Sequence, residues 1–577
     1  MILNGSPLGL HVLDGFGAAV VVAQPIEPGR AYRWALAVLV AGVDMSARLT
    51  GTVSTDRERG AAGVASFTLQ LAPGPVLPMD WVGRPVTIDY ITTALGQTTQ
   101  TRRYSGRVIT TEWDPLLRLL ACHCGDQLQQ RVEALTLLEV EALTPSYWSP
   151  NVFEAPAGRS RWDYLQERIS TIQASLDSSP AGVMRLTSWY ATWADFSFEA
   201  GSTIYNTVKV NYADLTSLTN TVEVEASYRF SRLHQSSQRY VWNIPGSLGG
   251  AAGGFCLWRQ ESTELPDVPM IDSAVEGAGY SLFNAGYNRL PPSHPNPCGN
   301  GNPWTNRFAD LLLGATFLAA KRWTQAITEK YVLSVVAPAS VAQAGPVISR
   351  TTLAVEYASE FGKTWESAPF GLGVPKWVMD SELQTDNGHA DDRDNVQRSD
   401  AIRCTLNQAK TAIILAHTGT SVSWDVPTSM VLAVDLVHTL RIADQGITAQ
   451  ARCNRVLDTF DLTGGTAITT LSIGVMRGGG SDSDALVAPA FSAVEQPDNP
   501  ASIGLTSQLG RRNDSPPLDE ALDGFVGNWD NGNPSLEAFP RRFQITAPEI
   551  PASDRDESTL AIPAVYRLAI PNDLLEF

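Results

Sequence analysis

From Tyr32 to about Cys124 the apolar and polar positions fall in short runs with the pattern of β-strands, after an arm over Met1 to Gly29 with little periodicity. Trp34 to Val40 is a continuous apolar run that predicts a buried strand, punctuated by Ala41-Gly42-Val43-Asp44. Val53 to Arg57 alternates, and Ala65 to Leu71 alternates strictly, placing Phe67, Leu69 and Leu71 on one face. With the runs 81–91, 103–112 and 116–124 this makes about six strands, enough for a small barrel or sandwich. The spacing becomes helical after Gly125, where Leu128, Val132 and Leu135 fall on one stripe of 125–138. Ser160 is placed to cap a further amphipathic helix carrying Trp162, Leu165, Ile169 and Ile172. An aromatic, strand-like stretch with Trp189, Trp193, Phe196 and Phe198 follows.

A short phrase then returns. Gly106-Arg107-Val108-Ile109-Thr110-Thr111 is echoed by Asn454-Arg455-Val456-Leu457-Asp458-Thr459, 348 residues further on. Each copy follows a strand-like run, Val86 to Tyr90 and Thr439 to Ile442, and precedes another, Leu116 to Cys124 and Ala467 to Val475. The same three-strand unit is therefore read as used twice, with Val108 and Val456 pointing alike, and Ile109 with Leu457. Two similar modules suit a part of a symmetric ring better than a single catalytic cleft.

The second module is expected to begin with Val208 to Tyr212 and Val222 to Glu225. The segment 246–304 is rich in Gly, Pro and Asn, the composition of a surface insertion. A weaker echo follows. Ala320-Lys321 precedes Pro338 as Ala409-Lys410 precedes Pro427, and Ser334 and Ser423 share the same offset. Each copy reads as a helix, over Arg307 to Glu329 and Ala401 to Ala416, followed by a strand. The expected fold is mainly β with α+β linking regions, built on two similar small β-barrels. The expected divisions are an N-terminal arm over 1–29, a first barrel over 30–125 and an α/β linking domain over 126–200. A second barrel takes 201–245 and 427–480, around an insertion over 246–426 with a Gly/Pro-rich loop and two helix-strand repeats. The Pro-rich, acidic remainder, 481–577, reads as an extended arm that wraps neighbouring surfaces.

At 577 residues the chain exceeds one hydrophobic core. Lys and Arg number 42 against 60 Asp and Glu, a net charge of −18, which argues against affinity built on phosphate neutralisation. Met1 to Leu10 has no basic n-region, and the apolar run Ala35 to Val43 is too short to span a bilayer. Synthesis in the cytoplasm is expected. Six scattered cysteines are too few for a disulfide scaffold.

A search for catalytic chemistry gives little. The histidines, His11, His123, His234, His294, His389, His417 and His438, show no zinc-protease spacing, and neither a G-x-S-x-G elbow nor a P-loop is present. His417 ends a predicted helix, where a cationic ring is favoured by the dipole. Cys122-His123-Cys124 is weighed as a metal or iron–sulfur site against two small core residues; in a strand the cysteines face one way and the histidine the other. Cys256 and Cys298 bracket the insertion and suit a disulfide if the protein matures in an oxidising compartment. Asp386 to Asp394 has carboxylates enough for Ca²⁺ but lacks the EF-hand spacing, so it reads as a solvated acidic turn. Paired carboxylates for glycoside cleavage are numerous, and nothing singles one out. No catalytic, cofactor-binding or metal residue is assigned, no cofactor is expected, and the chain is read as not an enzyme.

The order of features resembles the tail-hub proteins of tailed bacteriophages, the family of the central baseplate hub, the late-control protein and the base of type VI secretion spikes. Trp34 to Asp44 looks like that family's first strand and G-x-D turn, and Leu49 to Arg57 with Ala65 to Leu69 is similar to its next hairpin. Gly83 to Ile88 and Tyr104-Ser105-Gly106-Arg107-Val108 look like its strand followed by an F/Y-x-G-x-I/V strand. The resemblance covers roughly 30–480. The insertion and the C-terminal arm depart from the pattern. The resemblance implies a homotrimer whose six barrels form a pseudo-sixfold ring in the virion tail tip. It implies as partners the distal tail protein, the tape-measure protein and other tail-tip or receptor-binding proteins, with genomic DNA passing through without specific binding. The alternatives are a β-rich tail enzyme that degrades cell wall or capsule, and a secretion-system spike base.

Overall fold

The computed structural model describes residues 2–3, 6–7, 23–26, 33–94, 97–214, 218–243, 268–289, 293–294, 304–305, 312–368, 378–379, 388–490, 505–506, 545 and 549–577. The alternating N-terminal runs become strands Arg33–Val40 (β1), Leu49–Glu58 (β2), Val64–Gln70 (β3), Pro85–Ala94 (β4), Gln97–Asp114 (β5) and Leu119–Gly125 (β6). They form an antiparallel sheet in the order β1-β4-β5-β6-β3-β2. Their inward residues, among them Val38, Phe67, Leu69, Ile88, Tyr90 and Leu120, make one core. At about 25 cal/mol per Å² of apolar surface, burying such side chains contributes about 1.5–3 kcal/mol each.

The linking region carries short helices Leu128–Glu133 (α1), Leu137–Leu143 (α2) and Arg161–Ile169 (α3), with the hairpin Ala174–Ser178 (β7) and Met184–Ser188 (β8). The cap at Ser160 is where the sequence puts it: its side chain accepts a hydrogen bond from Asp163 N at 3.2 Å. Thr136 and Glu139 close a reciprocal capping box on α2. Leu128, Val132, Tyr164, Leu165 and Leu176 pack together. The stripe 128–135 is shorter than its pattern, because the helix stops at Glu133.

Phe196–Phe198 (β9) and Lys209–Asn211 (β10) precede a long hairpin made of Thr221–Asn243 (β11) and Leu312–Val336 (β13), paired from Thr221↔Val336 to Asn243↔Gly314. Ser281–Arg289 (β12) extends it on β13, Ile348–Glu356 (β14) runs parallel to β11, and Gly388–Asp392 (β15) is antiparallel to β11. Helix Asn395–Ala416 (α4) lies on one face, where Val224, Tyr228, Leu333 and Val335 meet Ile402, Leu406 and Ile413. Asp394 caps this helix, accepting from Val396 N at 2.8 Å and Gln397 N at 3.0 Å.

Three sequence expectations change here. The helix expected over Arg307 to Glu329 is strand wherever the structure describes it, from Leu312 on. Its Ala, Lys, Gln and Glu residues favour helix, but pairing along β11 decides its state. The two helix-strand echoes are therefore not alike: only the second, within α4, is helical. Val222 to Glu225 belongs to this hairpin sheet rather than to the second module. The acidic turn is strand β15 over Gly388–Asp392, running into the cap of α4 at Asp394. Of the insertion expected over 246–426, residues 246–267, 290–292, 295–303, 306–311, 369–377 and 380–387 lie outside the described residues.

The chain then returns with Thr420–Pro427 (β16), Thr439–Asp444 (β17), Ile447–Asp461 (β18) and Thr466–Val475 (β19). Their order is β10-β16-β19-β18-β17, with β9 parallel to β17. Val422, Trp424, Leu440, Ile442, Val456 and Leu471 form the core. In the C-terminal region Ser558–Arg567 (β20) runs parallel to β13, and Leu574–Glu576 (β21) pairs with β18.

Candidate functional site: the joint between two equivalent modules

The two modules share one connectivity. In chain order β2, β3, β4, β5 and β6 correspond to β10, β16, β17, β18 and β19. In the sheet both sets run β4-β5-β6-β3-β2 and β17-β18-β19-β16-β10. The repeated phrase occupies the central strand of each, β5 and β18. Val108 and Val456 are both buried in their cores, while Ile109 and Leu457 face away. Each central pairing carries one β-bulge, placed differently: Ile109 is the extra residue in the first and Asn454 in the second.

The modules are joined strand to strand. β2 pairs antiparallel with the second half of β18, from Glu58↔Arg455 to Thr52↔Asp461. The two sheets are thus one continuous sheet. Phe460 and Ala467 of the second module lie in the first module's core, with Leu432 and Leu462 packed against it.

A sealed ionic network sits under this seam. Arg103 forks onto Asp458, with Nε to Oδ2 at 2.9 Å and Nη2 to Oδ1 at 2.7 Å. Thr55 Oγ1 donates to Asp458 Oδ2 at 2.8 Å and Thr469 Oγ1 to Oδ1 at 2.7 Å. Burial alone would raise the Asp458 carboxyl, but Arg103 and these hydrogen bonds hold it below the usual range. Next to it Asp435 accepts from Arg57 and pairs with Arg185 at 2.8 Å. Burial opposes its ionisation, and the two guanidinium groups still bring its pKa down to about 2. Arg185 also holds Asp177 at 2.8 Å, tying the linking hairpin to the seam. Sequence reasoning did not find this network. Its one local signal is an acid in the second copy of the phrase, Asp458, where the first copy has Thr110.

The residues singled out for chemistry are dispersed. Cys122 and Cys124 face the first core side by side, and burial pushes the Cys122 thiol up to about 12. His123 points the other way, half exposed, 3.9 Å from Glu112. Cys256, Cys298 and His11 lie outside the described residues. Among the described residues no group of three or more His, Cys, Asp or Glu is placed to hold a metal ion. Asp391 pairs with Arg232 at 2.7 Å, and Asp392 accepts from Ser359. These acids have structural partners instead of lying free in a solvated turn. His417 does end a helix, but it is buried, with Nδ1 2.7 Å from Ile413 O and Nε2 2.8 Å from Ser340 Oγ. Burial lowers its pKa, so the cationic form expected from the helix dipole is disfavoured. Among the described residues no helix is long and apolar enough to cross a membrane.

No family model matches the chain, and no curated protein matches it. Solved structures similar to it include the tail protein from Neisseria meningitidis MC58, with 10% identity over 77% of this chain and 96% of that one, at a TM-score of 0.36. The 43 kDa tail protein of prophage MuSo2 from Shewanella oneidensis has 9% identity over 76% and 98%, at 0.35. The E. coli c3393 protein, a component of the type VI secretion system, has 6% identity over 79% and 81%, at 0.25.

Proposed function

We propose that the chain is a structural protein of a phage tail tip, a hub in which three copies place six β-barrel modules around a channel. The observation that carries the reading is the internal duplication. Two modules of one connectivity share a single continuous sheet, so one chain already contains two successive units of a ring. A threefold assembly of such chains has pseudo-sixfold symmetry, the geometry needed to seat a threefold tip on a sixfold tube. Joining modules edge to edge also covers strand edges that would otherwise promote aggregation.

On this reading the hub joins the distal tail ring to receptor-binding or piercing proteins and encloses the path of the tape-measure protein and genome. Three copies carry 3 × (−18) = −54 formal charges, enough acidic surface to keep DNA from adhering to the channel. A strongly basic lumen would contradict that part. The buried pairs Arg103–Asp458 and Asp435–Arg185 are committed to the joint between the modules.

The test is antibody labelling of intact particles, viewed by electron microscopy. Label confined to the distal end of the tail is expected. Label on the capsid or along the shaft, or turnover of purified peptidoglycan by the chain alone, would overturn the assignment.

A further inference from the structure

Residues 568–577 are fastened in two unequal parts. Up to Ile570 the fastening is deep. Leu568 and Ile570 belong to the core of the hairpin sheet, together with Met476. Ile570 N donates to Gly479 O at 3.0 Å, and Leu568 N to Val336 O at 2.8 Å. Gly478 passes so close that a Cβ there would stand 2.8 Å from the Cβ of Ile570. Beyond Ile570 the fastening is slight. After Pro571 and Asn572, β21 adds three residues to β18, with Leu574, Leu575 and Glu576 opposite Gln450, Ala449 and Thr448. Leu575 packs against the core of the second module, while Glu576 and Phe577 are exposed. The Phe577 ring lies 6.4 Å from that of Tyr212, itself exposed. So short a strand, with so little apolar cover, belongs to the low-stability end of a fold.

Asp573 stands between the two parts. Its N–H donates to Met476 O at 2.9 Å, and its Oδ2 accepts from Met476 N at 2.8 Å. Arg477 reaches the carbonyl oxygen of Asp573, with Nη1 at 3.1 Å, and forms no ion pair with its carboxyl. The other charged groups on the elements around it are Arg452 on β18, Arg441 and Asp444 on β17, and Glu576 on β21 itself. Burial acts most strongly on the Asp573 carboxyl and pushes it up to about 6, with the Met476 N–H and then Arg477 opposing less strongly. Asp435 at the seam shows the contrast: two guanidinium partners take its carboxyl the other way.

We propose that residues 571–577 form a strap latched by Asp573: while this carboxyl is neutral the strap lies on the second module, and its ionisation frees the strap. The docked carboxyl titrates above the usual 3.8, so the docking it supports is complete below pH 3.8 and is lost as the pH rises through 6. From pH 5 to pH 8 the docking equilibrium falls about tenfold. Pro571 and Asn572 are the hinge, because the residues before them are held by the core. A freed strap uncovers β18 at 448–450 on the side away from β17. The strap lies within one chain, so its test is independent of the assembly proposed above.

The experiment is millisecond-quenched hydrogen exchange on the full chain, read by mass spectrometry. Wild type and Asp573→Asn are compared at the same pH, which cancels intrinsic exchange rates. Asparagine keeps an acceptor for Met476 N and does not ionise. Over 571–577 the protection gained by Asp573→Asn should be about tenfold larger at pH 8 than at pH 5. Glu576→Gln, at an exposed acid on the same strand, should show no such change. Peptides covering 33–70 of the first module should exchange alike in all three proteins. A gain from Asp573→Asn that is equal at the two pH values, or faster exchange of its strap at pH 8, overturns the latch. A change that extends to the 33–70 peptides overturns a local strap.

Discussion

Arg103 and Asp458 form a bidentate ion pair sealed from solvent, one residue from each of the two β-modules, at 2.7 and 2.9 Å. It couples the strand of the first repeated phrase to the second copy of that phrase. Removing one partner leaves the other charge buried and uncompensated, which costs about 3–5 kcal/mol. Asp458→Leu or Arg103→Met should each lower the urea midpoint markedly, and the two together should cost less than their sum. Additive losses in this double-mutant cycle would mean that the pair does not couple the modules.

Asp435 gives the seam an acid limit. Its folded pKa of about 2 lies below the usual 3.8, so its contribution is present above pH 3.8 and is lost as the pH falls through 2. A shift of that size corresponds to roughly 2 kcal/mol. Asp435→Asn should be less stable than wild type at pH 7, and the gap should narrow towards pH 2. A gap independent of pH would show that charge at Asp435 does not hold the seam.

The duplication was legible because strand alternation is a local pattern, and Val108 and Val456 could be matched from it alone. The seam was not. Arg57 meets Asp435, and Arg103 meets Asp458, across hundreds of residues, and no periodicity records such partners. The long hairpin is hidden in the sequence for a related reason. Ala319-Ala320-Lys321-Arg322 has helix-forming composition, and only its pairing with Ser236–Gln238 and their neighbours on β11 makes it strand. The acidic stretch near Asp391 has the composition of a solvated turn, and its partner Arg232 lies 159 residues away in sequence.

The hairpin sheet should respond to mild acid through His389. Its ring lies opposite His234 across the β11–β15 pairing, 5.8 Å away, with neither nitrogen hydrogen-bonded among the described residues. Burial, then Arg232 and His234, push its pKa down to about 4, against a smaller opposing effect of Asp391. A depressed histidine contributes stability above about pH 6.5 that is lost as the pH falls through 4, about 3 kcal/mol at most. His389→Phe should reduce the loss of thermal stability between pH 7 and pH 4.5. An unchanged pH slope would place that sensitivity elsewhere.

Gly106 opens the first copy of the phrase where the second has Asn454, and the structure gives the reason. A Cβ at Gly106 would meet the Tyr104 hydroxyl and stand 2.5 Å from the carbonyl oxygen of Gly125, which is backbone and cannot yield easily. Gly106→Ala is expected to cost about 1–3 kcal/mol. Asn454→Ala, at the matching place in the repeat, should cost less. Equal losses in chemical denaturation would deny that the difference between the copies is steric.

The central claim is that one chain supplies two modules of a six-module ring. Native mass spectrometry of the purified full-length chain tests it most directly. The account predicts a dominant species of three copies of the 62.3 kDa chain, about 187 kDa. A chain that remains at 62.3 kDa across micromolar concentrations, or that assembles as dimers or tetramers, would contradict it.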